Sequence, residues 1–383
     1  MTIAFFSNFL NHHQVHVADE LYQLSNGKYI FVEVMEMPEW LKKSGYTDLS
    51  TRPYVLHGWR NDASRQQALK LALDADVALF SGVEVFEYEK YRVLKTNKLT
   101  FDVSERWLKR GIFNLLSPRI FRQFATYHLY RWKHKPIYKL CSSAFASSDQ
   151  RRLLTYLDKC YKWGYFTKVD SSFDVETSIK DASTSEITPL MWCSRFLTWK
   201  HPELPVQLAY SLKALGYKFR IDMFGSGDLL DKMKNLSVEL DVTDVVSFRG
   251  NIPNDQILSE MRNHEIFLFT SDRNEGWGAV ANESMSNGCA LVGSNEIGSI
   301  PFLVKDGMTG LIFESENLDS LVMKLKCLLD NPELCLEIRR NAVKHMKTIW
   351  SPKEAAKNLL TLIDDLQNGR DTSIKEGPCS KAY

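Results

Sequence analysis

No apolar run in this 383-residue chain reaches the roughly 20 residues that cross a bilayer as a helix, so no spanning helix is expected. The seven cysteines stand at 141, 160, 193, 289, 327, 335 and 379, with no CxxC or zinc-ligand spacing among them. That pattern excludes a cysteine-built metal module and a disulfide scaffold, and fits reduced thiols in a cytoplasmic protein. There is no excess charge of either sign: the formal net charge is +1, which excludes a globally basic nucleic-acid binder. Low-complexity blocks are missing as well. Met1 and Thr2 lead straight into the apolar Ile3-Ala4-Phe5-Phe6, so no signal peptide is expected. One local absence stands out. From Arg106 to Ser148 there is no Asp or Glu, while the stretch holds nine Lys or Arg.

What is present is the composition of a globular protein, 44% hydrophobic and 25% charged, at a length that suits two domains. Apolar runs of strand length alternate with helical patterns throughout, which predicts an α/β fold with parallel sheets. In the first half the strands are expected at IAFFSN, YIFVEV, YVLHG, VALFSG, LTFDVS and SSAFASS. Helices are expected over 12–24 and 61–73. The polar stretch from Asp170 to Thr188 reads as a linker, and the pattern restarts at ITPLMWCSR. Strands FRIDMFGSG, VVSFRG, EIFLFTS and CALVGS follow. The predicted division is an N-terminal domain over 1–180, a second domain over 181–350, a helix over 351–367 returning to the first domain, and a disordered polar tail over 368–383.

The densest information lies between Glu275 and Gly310, EGWGAVANESMSNGCALVGSNEIGSIPFLVKDGMTG. Two carboxylates, Glu275 and Glu283, stand eight residues apart across a Gly276-Trp277-Gly278 turn that opens a helix. Such spacing alone carries little, since glutamate is common. Its context of strand, glycine turn, helix, strand and glycine turn builds the carboxyl edge of a parallel sheet, where α/β proteins bind ligands. Backbone N–H groups at the start of that helix suit a phosphate. Flanking carboxylates, repelled by phosphate, suit sugar and ribose hydroxyls. The same residues also fit a solvated loop glutamate and a helix-capping one.

Other strand ends add compatible groups. Arg195 and Lys200 stand five apart after the first strand of the second half and could clamp a diphosphate, or form a plain surface pair. Gly225-Ser226-Gly227 follows the next strand. Asn251 and Ile252 follow the third, where backbone groups could read a planar base.

Taken together, these stations resemble the retaining glycosyltransferases of the GT-B fold, family 4, nucleotide-sugar enzymes of the bacterial polysaccharide type. The resemblance spans about Met191 to Trp350. It implies two Rossmann-like domains facing across a cleft, and a hexosyl transfer from a nucleotide diphosphate sugar with retention at the anomeric carbon. The family's catalytic and donor-binding roles fall on these residues: Arg195 and Lys200 on the diphosphate, Glu275 on the transferred sugar with the Gly276–Gly278 backbone beside it, and Glu283 on the ribose. The turns holding Gly225, Gly227, Asn251 and Ile252 would flank the base. No cofactor and no metal are implied, because arginine and lysine can neutralise the diphosphate. Two departures are visible. Lys200 is followed by His201-Pro202 where relatives commonly have glycine, and Ser299 and Phe302 replace the usual glycine and glutamate in a later turn.

The first half resembles the family less, as expected of the part that meets a variable acceptor. Its first turn offers Asn11, His12 and His13 in place of a glycine-rich loop, and Glu105 with Arg106 follow the LTFDV strand. These are acceptor candidates. Asn11 also suits a helix N-cap, with the histidines merely exposed. The basic, aromatic-laced stretch from Arg106 to Lys139 suits the headgroup layer of an anionic membrane, in keeping with a polyprenyl-diphosphate-linked glycan acceptor. A helical hairpin with a basic solvent face would read the same. Two other functions use the same scaffold: a non-catalytic nucleotide- or glycan-binding subunit, and a nucleotide-sugar epimerase or phosphorylase.

Overall fold

A computed structural model describes residues 1–39, 48–182 and 186–383. The chain divides into two compact units, one of Met1–Lys168 with Ile349–Tyr383, the other of Val169–Thr348. Each is built on a parallel sheet.

In the first unit the strands are β1 (Ile3–Ser7), β2 (Tyr29–Glu33), β3 (Val55–His57), β4 (Val77–Ser81), β5 (Leu99–Ser104), β6 (Ile137–Cys141) and β7 (Cys160–Lys162). They lie in the order β3-β2-β1-β4-β5-β6-β7. The central β1 is buried along its whole length, IAFFS, as a strand covered by helices on both faces must be. The second unit holds β8 (Thr188–Cys193), β9 (Phe219–Phe224), β10 (Val246–Gly250), β11 (Ile266–Phe269), β12 (Ala290–Ser294) and β13 (Leu311–Phe313), ordered β10-β9-β8-β11-β12-β13. Its core gathers the apolar faces of these strands with helices Glu203–Ala214 and Leu318–Leu329, around the buried Trp192, Leu208 and Leu325.

The predicted fold class holds, and several local expectations are corrected. The sixth strand is Ile137–Cys141, and the predicted SSAFASS is instead the turn into helix Ala146–Arg152. Lys139 hides that strand from a periodicity reading. It is fully buried, with Nζ 2.8 Å from Asp102 and 2.7 Å from the Ser104 hydroxyl. The short β7 and β13 escape notice because three residues carry almost no pattern.

The predicted linker contains helix Val175–Ala182, whose Val175 and Ile179 pack on Val343 of helix Pro332–Thr348 inside the second unit. Part of that stretch, 183–185, lies outside the described residues.

The tail after Asn368 is ordered rather than disordered. Its end runs antiparallel to the edge strand β7, through Cys379 N–H to Lys162 O (2.7 Å), Lys162 N–H to Ser380 O (2.8 Å) and Ala382 N–H to Cys160 O (3.0 Å). An edge strand leaves a row of backbone groups unpaired, and the tail satisfies it. Helix Pro352–Gln367 belongs to the first unit and packs on helix Val15–Leu24.

Candidate active site

The second sheet reverses its direction of growth between β8 and β11, and crevices for ligands form at the carboxyl ends of such strands. Lys200 comes from the loop after β8, Glu275 from the loop after β11, and their side chains form an ion pair. Thr270 brings the loops together. Its hydroxyl accepts from Trp192 Nε1 (2.9 Å) and donates to the carbonyl of Lys200 (2.7 Å). Ser271 donates to the same Glu275 oxygen at 3.1 Å. The two charged side chains are only 12% and 14% exposed, so their attraction is weakly screened and either charge alone would be costly. Arg195, at the same strand end, is exposed and has no ion-pair partner among the described residues.

Glycines set the backbone around this pair. Gly225 (φ +128°) lies so close to Ser194 that a Cβ would sit 1.9 Å from its carbonyl oxygen. Gly227 makes the same approach to Phe196, at 2.6 Å. The turn after β9 thus seats directly on the loop carrying Arg195. It is linked to the turn after β10 by Asn251 Nδ2 donating to Ser226 Oγ at 2.8 Å, with Ile252 beside it. Gly278 (φ +80°) backs onto Phe269, where a Cβ would meet the ring at 2.2 Å. Gly276 is buried beside Trp277, whose side chain is fully buried and donates to Asn282 Oδ1 at 2.8 Å. Trp277 therefore belongs to the core of the turn, and only its backbone can face a ligand. Phe302 stands 6.2 Å from the Trp277 ring, so the residue that departs from the family pattern packs this turn.

Glu283, in helix Val280–Ser286, has its carboxyl pushed up to about 7 by burial, opposed by a hydrogen bond with Asn254. Cys193, at the end of β8, feels both Glu283 and Lys200, and burial raises its thiol to about 12. Two acids and a lysine thus share one neighbourhood. Sequence reasoning missed a further group there: His201, Asp272 and Glu316 each place a ligand atom within 4.8 Å of the others. They come from three separate loops, so no sequence spacing announces them.

In the first unit, Asn11 Oδ1 accepts from His13 N–H at 3.0 Å in a turn ahead of helix Val15–Leu24; the N-cap of that helix is Gln14 and not Asn11, so the capping alternative does not hold. His13 stacks on Tyr165 at 5.0 Å, and Tyr165 donates to Glu105 Oε1 at 2.7 Å. Asn11, His12, His13 and Glu105 are thereby brought into one cluster, His12 lying 3.8 Å from the His13 ring. Burial drives His13 down to about 3, with His12 and His16 adding to the effect, so it is neutral at physiological pH. Arg106 pairs with Asp149 (3.2 Å) and lies over the Phe145 ring, and it also lines the cavity beside Glu105. A cavity of about 580 Å³ opens at the ends of β4 and β5, lined by Glu105, Lys109, Arg119 and the buried Glu89.

The basic stretch is also sorted by the fold. Arg106 and Lys139 at its ends are paired and buried, and Trp107, Tyr127 and Trp132 are core residues. Its surface includes Ile112, Phe113, Leu116 and Phe121, 56% to 82% exposed, with Arg110 and Arg119 exposed among them, and further along the exposed Leu129 and Tyr130. Among the described residues no helix is long and apolar enough to cross a membrane.

Residues 187–345 match the family described as Glycosyl transferases group 1. A D-inositol 3-phosphate glycosyltransferase of Streptomyces avermitilis is 27% identical over 125 residues, 32% of this chain and 26% of that protein. An uncharacterized glycosyltransferase of Haemophilus influenzae is 29% identical over 120 residues, 31% of this chain and 33% of its own length. The matched part thus spans about a quarter to a third of these relatives. Among solved structures, Anabaena HepE in complex with UDP superposes with a TM-score of 0.70 at 11% identity, covering 96% of this chain and all of that one. Sucrose-phosphate synthase of Thermosynechococcus elongatus gives 0.66 at 14% identity, covering 96% and 100%. The fold is that of the GT-B glycosyltransferases, and the likeness in sequence to the glycosyltransferase group 1 family is confined to residues 187–345.

Proposed function

We propose that this protein is a retaining hexosyltransferase. It moves a hexosyl unit from a nucleotide diphosphate sugar to a hydroxyl of a glycan or polyprenyl-diphosphate-linked glycan, in cell-surface polysaccharide synthesis. The observation that carries the reading is the Lys200–Glu275 pair at the switch point of the second sheet, framed by glycine turns. With no donor bound, each charge neutralises the other. A donor diphosphate would draw Lys200 to itself beside Arg195 and release Glu275 to accept hydrogen bonds from the sugar. The helix that starts after Gly278 turns its positive end toward the same region.

In the front-face route, the acceptor oxygen bonds to the anomeric carbon as the bond to the diphosphate breaks. The departing phosphate oxygen takes the acceptor's proton. The protein then supplies position and positive charge. No metal is needed on the diphosphate. A thermal-shift panel with UDP, GDP and ADP and their common sugars tests the donor site. One base should raise the melting temperature of the wild type and leave Lys200→Ala unmoved. No shift with any nucleotide would overturn the reading.

We further propose peripheral contact with an anionic membrane through the exposed apolar residues 112–121 and their arginines, on the cytoplasmic face. Insertion of Phe113 and Leu116 with Arg110 and Arg119 at the headgroups is the arrangement that favours such binding. Phe113→Ser with Leu116→Ser should release the protein from vesicles containing phosphatidylglycerol. Unchanged cosedimentation would reject the contact.

A further inference from the structure

We propose that His201, Asp272 and Glu316 form a binding site for one divalent first-row transition ion, Zn²⁺ being the best suited, which ties together the loops after β8, β11 and β13. The three ligand atoms lie within 4.8 Å of one another. Ions that bind nitrogen and oxygen at about 2.0–2.2 Å hold their ligands roughly 3–4 Å apart, so closing the site takes only a small contraction.

The imidazole supplies a second, independent argument. Both ring nitrogens of His201 face carboxylates, Nδ1 at 2.8 Å from Glu203 Oε1 and Nε2 at 3.4 Å from Asp272 Oδ2. Three carboxylates, Glu203, Asp272 and Glu316, surround this one ring, so even with a proton on both nitrogens the cluster keeps a net negative charge that a divalent cation between Asp272 and Glu316 would balance. Asn274 orients the Asp272 carboxylate, donating from its backbone N–H (2.7 Å) and its side-chain amide (3.0 and 3.2 Å). A histidine that donates one nitrogen to a carboxylate while offering the other is the outer-shell pattern of metal-binding histidines.

Charge and backbone agree. Among the described residues no lysine or arginine pairs with Asp272 or Glu316. His201 sits at φ +47° and Glu316 at φ +60°, left-handed positions that side-chain-bearing residues avoid. A mixed imidazole and carboxylate set suits Zn²⁺, Mn²⁺ or Co²⁺ better than Mg²⁺ or Ca²⁺, which take all-oxygen shells. Glu316 is exposed, which leaves an entry path and room for water ligands.

The consequence is mechanical. His201 follows Lys200 directly, and the backbone N–H of Glu275 donates to the carbonyl of Asp272 at 3.0 Å. An ion here would stiffen the platform beneath the Lys200–Glu275 pair without touching the donor.

The test is metal binding itself, so it stands whether or not the transferase reading does. Chelator-stripped full-length protein is titrated with Zn²⁺ and Co²⁺ by calorimetry, with absorption spectra for Co²⁺. One ion per chain is expected, with cobalt d–d bands and no thiolate charge-transfer band. His201→Gly should fold as the wild type does, because glycine is at home at that φ, and should bind at least about 100-fold more weakly. Asp272→Asn should also weaken binding. The proposal is overturned if the wild type shows no saturable site, if His201→Gly binds equally well, or if a thiolate band reveals a cysteine site.

Discussion

Three side chains carry sharp expectations. Removing either partner of the buried pair leaves a lone charge, so Glu275→Ala and Lys200→Ala should each lower transfer by about 10²–10³-fold in an assay with radiolabelled donor. An active Glu275→Ala would remove its assigned role. Glu283 predicts a pH dependence. Its carboxyl titrates near 7 in the fold against an ordinary 4.5, so the folded state favours the protonated form. The resulting stability is fully present below pH 4.5 and is lost as pH rises through 7. Glu283→Gln should therefore match the wild type at pH 4 and exceed it by about 1–3 kcal/mol at pH 8 in urea melts. A constant difference across that range would show that burial of Glu283 does not set its titration. Gly278→Ala adds a methyl 2.2 Å from the Phe269 ring at φ +80°, and should cost about 1–3 kcal/mol in the same melts.

Elements were readable where the hydrophobic period matched burial. β1, β4, β5 and β9 lie within a few residues of where their apolar runs predict them. Readings failed where a polar residue was buried or a polar segment was ordered by a partner. Lys139 sits in a strand because Asp102 and the Trp107 ring receive its charge across the chain. The tail is polar in composition, yet Cys379 and Ser380 are buried against β7. Truncation after Asn368 should uncover that edge and lower the melting temperature of the first unit by several degrees, at about 2–4 °C per kcal/mol. A truncated chain that melts unchanged would mean the tail contributes no stability.

At the scale of the whole chain, two separate cores imply two separable transitions. The second unit buries its cluster around Trp192 and Leu208, the first its own around Phe6 and Phe80. Scanning calorimetry should resolve two components, and the nucleotide found in the thermal-shift panel should raise only the one belonging to Val169–Thr348. A nucleotide that shifts both equally would mean that the two cores unfold together. The unit boundary also moves relative to the sequence reading, from 180 to 168. A helix with apolar residues four apart joins the body it packs on, however polar its other face.

Composition and period were enough to establish the α/β class, the parallel sheets, the loops that carry Arg195, Lys200 and Glu275 and the helix that carries Glu283, because each depends on residues near one another in the chain. Other features depend on atoms that meet from distant segments. Packing alone settled that Arg106 pairs with Asp149, that the Trp277 side chain faces the core, and that His201, Asp272 and Glu316 converge. No local pattern encodes such meetings, since they exist only once β8, β11 and β13 lie in one sheet.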